Sequence, residues 1–149
     1  MLRTLNDTEI QEVLKSNFLA RIGCTDGTKV YVVPIHYHYE ENAVLCYSLE
    51  GLKIDLMRKH TSVCLEVDEI RDANHWRCVV INGRYEEITN ENELGDLRPR
   101  YTEYLIRQRV SLPSESPNAD QLESTDLHSN TAQVFFRIKY ESISGRADD

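Results

Sequence analysis

The sequence has four cysteines, at 24, 46, 64 and 78, but no Cys-x-x-Cys pair. Zinc-ribbon spacing is therefore absent. Each thiol lies in a strand-like apolar run, the usual setting of a buried free cysteine. No apolar run approaches the roughly 20 residues of a membrane helix. The first residues, MLRTLNDTEIQEVL, turn polar at once and lack the apolar stretch of a signal peptide, which implies a cytoplasmic protein. Positive charge is scarce: Lys and Arg number 17 against 25 Asp and Glu, a net charge of −8. That balance argues against nucleic acid or an anionic membrane as the main partner. Gly-x-x-x-x-Gly-Lys-Ser/Thr spacing is missing, which excludes a Walker A loop. No acid–base triad, nucleophile constellation, internal repeat or low-complexity tract is visible.

What remains is a globular composition. The 149 residues are 40% hydrophobic and 28% charged, enough for one domain, spanning residues 1–149, with a real core. Residues 6–16 read as a short helix, with Asn6 and Glu9 at capping-box spacing and Ile10, Val13 and Leu14 on one face. Residues 18–25 and 29–40 read as strands joined by a hairpin turn at Asp26-Gly27. A third strand covers 43–48, a helix roughly 51–60, and a fourth strand 62–68. Residues 69–75 (EIRDANH) read as a polar loop. A long strand follows over 76–89, with Gly83 marking a bulge. Asn90 caps an acidic helical segment that Pro99 is expected to divide in two. Residues 111–131, rich in Ser, Pro, Asn and Asp, read as a long surface loop, mobile or functional. The last strand covers 131–142, with Val134, Phe136, Ile138 and Tyr140 on one face. Six strands, meander connections and few helices make the fold mainly β, an antiparallel barrel or a sandwich.

The stretch Cys46-Tyr-Ser-Leu-Glu-Gly-Leu-Lys53 reads as a strand end, a turn and the first turn of a helix. Free backbone N–H groups and the helix dipole favour an anion there. Ser48 adds a hydroxyl donor and Lys53 a full positive charge. In a net acidic chain an anionic ligand needs such a local basic cluster, and Lys53, Arg58 and Lys59 supply one. An ordinary strand-to-helix turn with a solvated lysine is the alternative.

Six stretches in order carry a resemblance: Leu19 to Gly27, Tyr31-Val-Val-Pro-Ile35, Tyr47-Ser-x-x-Gly51-x-Lys53, Val63 to Asp68, Trp76 to Gly83, and Phe136-Arg-Ile to Arg146. Together they resemble the pyridoxamine 5′-phosphate oxidase-like, FMN-binding split-barrel proteins, and are most similar to the 5-nitroimidazole-resistance branch. The resemblance covers the chain from about Phe18 to Arg146. It implies a six-stranded antiparallel split β-barrel with a few short helices, and a homodimer with FMN at the subunit interface. It also implies flavin redox chemistry between a small-molecule electron donor and a small acceptor. The vitamin B6 oxidases have a longer C-terminal region that helps hold the pyridoxal substrate, so their own activity is not expected here. A non-catalytic flavin-binding, flavin-storage or haem-handling protein of the same fold is the alternative function.

The resemblance also assigns roles to residues. The backbone of Val32, Val33, Pro34 and Ile35 would run beside the flavin ring. Pro34 marks a strand edge or bulge, because proline cannot donate a ladder hydrogen bond. Ser48 and Lys53 would hold the FMN phosphate. Leu52 stands where many members carry a basic residue. Cys78 stands near the ring where the branch has Ser, and its thiol is the weaker donor. Trp76 would begin the strand beside the flavin, to cover the ring or simply to pack. Asp68 ends its strand near the same edge, either capping loop backbone or touching ligand. Tyr47 replaces the branch's usual His close to the flavin face and is the candidate catalytic residue. A phenol with an ordinary pKa of about 10 orients an oxygen without passing its proton on, so nitroimidazole reduction is expected to be weak. His36 and His38 alternate on one strand face. An i, i+2 pair of this kind can bind metal, but no third ligand is spaced nearby, and no metal is expected.

Overall fold

The structure is a computed structural model that describes residues 1–108 and 133–149. The long surface loop expected at 111–131 lies outside the described residues. The element order is β1 (Leu2–Thr4), α1 (Asp7–Ser16), β2 (Leu19–Thr25), β3 (Val30–Tyr39), β4 (Ala43–Leu49), α2 (Leu52–Lys59), β5 (Ser62–Asp72), β6 (His75–Glu87), α3 (Glu91–Gln108) and β7 (Gln133–Asp148). All strand pairings are antiparallel. The order is β1-β7-β4-β3-β2-β5-β6, and a further β6–β7 pairing closes six strands into a barrel. The short β1 adds to the outside of β7, Leu2 opposite Asp148. Closure through the β6–β7 pairing, not a second sheet, decides between barrel and sandwich.

Alternation along each strand fills the interior. Ile22, Ile35, Tyr37, Leu65, Val67, Ile81, Phe136 and Ile138 are all buried in one core cluster. Each such side chain contributes roughly 1.5–3 kcal/mol by leaving water. α1 packs against β3, β5 and β6. Its capping box forms: Glu9 N–H donates to Asn6 Oδ1 at 2.9 Å, and Asn6 N–H donates to Glu9 Oε2 at 2.9 Å. Inside the barrel, the Tyr37 hydroxyl donates to the Leu14 carbonyl at 2.7 Å and so fixes α1 in place. Gly27 takes a positive φ of 95° in the β2–β3 turn, as Asp-Gly requires.

Two expectations are corrected. Residues 69–75 are not a loop: β5 runs to Asp72 and turns at Ala73-Asn74 straight into β6. The run looks polar because this end of the hairpin is exposed on both faces. Pro99 does not divide α3, which is one helix of 18 residues. Pro99 and residue 95, whose carbonyl the proline cannot bond, are both exposed. The carbonyl that loses its donor is left to water. α3 covers the outside of β4 and β7, where Leu94, Leu97 and Tyr101 pack on Leu45, Tyr47 and Phe135. No helix among the described residues is long and apolar enough to cross a membrane.

Candidate functional site

The barrel is open along part of β3. β3 pairs with β2 over Val30–His36, but with β4 only over Tyr37–Tyr39. From Tyr47 to Leu49, β4 pairs with β7 alone. The two strands therefore part beyond Tyr37 and leave an edge on β3. Tyr37 N–H donates to the Phe18 carbonyl at 3.0 Å, which makes His36–Leu19 a non-hydrogen-bonded pair of the β2–β3 ladder. Alternation puts Pro34–Arg21 and Val32–Gly23 in the same class. The backbone groups of Val32 and the carbonyl of Pro34 thus point away from β2, into the opening. Pro34 sits where a missing N–H costs the ladder nothing, the edge role expected of it. Val33 and Ile35 are the inward neighbours, half-buried and buried, and belong to the core.

α2 follows β4 at this opening. Its N-cap is Gly51, with no side chain capping the helix, so the first N–H groups are available to an anion. Lys53 is half-buried, and burial lowers its pKa against a small opposing effect of the Cys24 and Cys46 thiols. It has no carboxylate partner among the described residues. Arg58, by contrast, is committed: Nε donates to Glu87 at 2.7 Å, and Nη1 and Nη2 donate to Glu50 at 2.9 and 2.8 Å. Leu52 is 58% exposed beside Lys53. Ser48 is buried, and its hydroxyl donates to the Leu49 carbonyl at 3.0 Å.

A second group lies on the outer face of β2, β5 and β6. Asp68 is the register partner of Cys78, and Trp76 that of Ile70. These four line one cleft of about 550 Å³ together with Glu66. Arg21 joins this group to the β3 edge, being the register partner of both Pro34 and Glu66. Its guanidinium donates to Asp68 at 3.0 Å and to Glu66 at 3.5 Å. The Cys78 thiol donates to Glu66 Oε1 at 3.3 Å. Burial and that bond push the thiol up to about 12, so Cys78 is a donor and not a nucleophile at neutral pH. Sequence reading missed Arg21 and Glu66 as site residues. A signal was present for Arg21, the one charged residue of an otherwise largely apolar β2; Glu66 is one of several charges on β5 and does not stand out.

Tyr47 does not join either group. It is 1% exposed and faces α3, its ring 5.5 Å from Tyr101 and 5.1 Å from Phe135. Alternation puts it on the opposite side of β4 from Ser48. The resemblance expects it close to the flavin face; its ring packs under α3. His36 stacks on Phe18 and His38 meets Tyr104 edge-on. Among the described residues no group of three or more metal-ligating side chains occurs.

The Glu66 carboxyl is held above the usual carboxylate range, first by burial and then by Asp68, against the lowering effects of Cys78 and Arg21. A raised pKa means that the folded state holds the proton more tightly than the unfolded chain. Its contribution is fully present below the ordinary Glu pKa of about 4.3 and is lost as pH climbs through the raised value. Glu66→Gln should therefore flatten the fall in stability above about pH 4.3. Urea unfolding at pH 4.5, 5.5 and 7 checks this, and parallel curves for the two proteins would refute it.

A closed six-stranded antiparallel barrel, split along β3 and with a helix N-terminus at the split, defines a class of protein. The chain belongs to the pyridoxamine 5′-phosphate oxidase family, whose profile matches residues 6–147. It is similar to a crystallised FAD-binding protein from Mesorhizobium loti, with 32% identity, a TM-score of 0.79, and 100% and 99% of the two chains covered. It is also 29% identical to an uncharacterised protein of Rhizobium meliloti over 146 residues, 98% of this chain and 95% of the other. The fold is shared with a Bacteroides thetaiotaomicron protein described as a candidate 5-nitroimidazole antibiotic resistance protein. That structure has a TM-score of 0.64, 17% identity, and 100% and 93% of the two chains covered.

Proposed function

We propose that the chain is a cytoplasmic flavoprotein that holds FMN along the open edge of β3 with its phosphate at Lys53, and that it is an oxidoreductase. The observation that carries this reading is Lys53. It is a half-buried cation with no carboxylate partner among the described residues, at an uncapped helix N-terminus beside an open strand edge. Bound there, flavin supplies the electron-transfer chemistry between a nicotinamide or other donor and a small acceptor such as a nitro compound or a quinone. The protein's residues hold and orient it: the Val32 and Pro34 backbone meets the polar edge of the ring, and Lys53 with the α2 N–H groups meets the phosphate. The similar Mesorhizobium loti protein is named as FAD-binding, which supports a flavin. Lys53 at the α2 N-terminus supplies one cation for one phosphate, which favours the mononucleotide. The deciding experiment has two parts. Flavin released from the purified protein is identified as FMN or FAD by chromatography, and the holoprotein is titrated anaerobically with NADH and NADPH. Bleaching that an acceptor reverses supports the oxidoreductase. Bound flavin that no donor reduces supports a storage or carrier role, and a protein that neither holds nor quenches flavin refutes the reading.

We further propose that the site is completed by a homodimer. The outer face carrying Arg21 and Glu66 also exposes Val30, Val32 and Ile70, at 71%, 65% and 70%. Such a face on a closed barrel suits a two-fold partner. Light scattering at micromolar concentration is expected to give twice the chain mass, and Val32→Glu is expected to give a monomer with weakened flavin binding. A flavin-loaded monomer in the unmodified protein would refute the dimer.

A further inference from the structure

A second concave feature lies on the other face of β3 and β4, against the C-terminal half of α3. Its floor is Leu45 and Leu97, both buried. Its walls are the rings of Tyr101 and Tyr104 and the edge of His38, the register partner of Leu45. The tyrosines are fixed in place: Tyr104 donates to the Tyr37 carbonyl at 3.3 Å, and Tyr101 to the His36 carbonyl at 3.5 Å. His38 and Tyr104 meet edge-on with centroids 5.3 Å apart. The volume is about 220 Å³, below the usual range for cofactor-sized ligands and enough for one substituted ring.

The rim is basic although the chain carries a net charge of −8. Arg107 is paired with Glu103 at 2.6 Å. Arg100 is exposed and has no carboxylate partner among the described residues. Past Tyr104 the groove continues into a cleft of about 330 Å³ that Lys15 lines, its ammonium 5.3 Å from the Tyr39 ring centroid. Rigid aromatic walls select a flat ring, which packs on them edge-on or offset. A guanidinium free of intramolecular carboxylates selects a planar anion that it can bond through two parallel N–H groups.

We infer that this groove is a binding site for a single-ring aromatic carboxylate, with the ring over Leu45 and Leu97 against the side of the contacting Tyr101–Tyr104 pair, whose centroids are 5.8 Å apart, and the carboxylate on Arg100. None of the residues lining the groove belongs to the β3 edge or to α2, so the inference does not rest on the flavin reading.

The test is calorimetric titration of the purified protein, with whatever it retains, using benzoate, benzamide and cyclohexanecarboxylate. Benzoate should bind one per chain. Benzamide lacks the charge and cyclohexanecarboxylate the flat ring, and each should bind at least tenfold more weakly. Arg100→Gln changes an exposed side chain and should fold normally, with unchanged melting temperature, yet lose at least tenfold in benzoate affinity. Absence of saturable heat with benzoate overturns the site, as does equal affinity in the Arg100→Gln protein. Release of bound flavin in step with benzoate binding, seen in the visible spectrum, overturns it as well by placing benzoate at the β3 edge.

Discussion

Gly83→Ala should cost about 3 kcal/mol or more, a large part of the roughly 5–15 kcal/mol that holds a typical domain together. A Cβ built at Gly83 runs into the Lys139 carbonyl oxygen and lies 2.7 Å from Ile138 Cγ2. The first of these neighbours is backbone, so no rotamer change relieves it. Nor is β7 free to retreat at that point. Ile138 and Lys139 pair with Tyr85 and Arg84 on one side and with Val44 and Ala43 on the other. The register shift between Asn82 and Gly83 lies where the barrel closes, and the strands approach there because residue 83 has no side chain. Backbone conformation is not the cause, since Gly83, unlike Gly27, does not take a left-handed φ. Gly95→Ala is the control. Its Cβ meets nothing within 4 Å, and helix propensity predicts a gain of up to about 1 kcal/mol. Chemical denaturation of both variants checks the pair. A Gly83→Ala protein within about 1 kcal/mol of the original would show that the closure bulge relaxes freely.

Local chemistry was legible in the sequence wherever one residue type has one job. The Asn6–Glu9 box, the Asp26-Gly27 turn, the bulge at Gly83 and the edge position of Pro34 each follow from a hydrogen-bonding or steric rule that acts over a few residues. The misreadings arose where tertiary context overrides such a rule. The 69–75 run has loop composition, yet pairing between β5 and β6 holds it extended. Pro99 reads as a helix break, yet an exposed carbonyl four residues back, open to water, lets α3 continue. Within the site, charge and the turn pointed to Lys53. The side of β4 that Tyr47 occupies could not be read in advance, because a strand buried on both faces shows no alternation: all of Ala43 to Ser48 is buried. Arg21 and Glu66 come together only through the β2–β5 register, which links positions 45 residues apart.

Lys53→Ala should weaken FMN binding by about one to two decades, corresponding to roughly 1.5–3 kcal/mol for a lost charge-assisted contact. This expectation rests on the proposed flavin site. Burial already lowers the lysine's pKa, so the folded protein bears a desolvation cost for this charge, and no carboxylate among the described residues offsets it. A phosphate would supply the missing countercharge, and the gain should exceed that of a solvated lysine. Two further measurements separate this from nonspecific damage. Arg58 lies one turn further along α2, but Glu50 and Glu87 already hold it. Arg58→Gln should therefore leave FMN affinity within about threefold, since it removes ion pairs and no ligand contact. Riboflavin lacks the phosphate and should bind the Lys53→Ala protein and the original equally. Fluorescence quenching titrations with FMN and riboflavin measure all three. Equal FMN affinity in the Lys53→Ala protein would move the phosphate away from α2. A loss of riboflavin binding as large as that of FMN would mean that Lys53 supports the shape of the opening and not the phosphate.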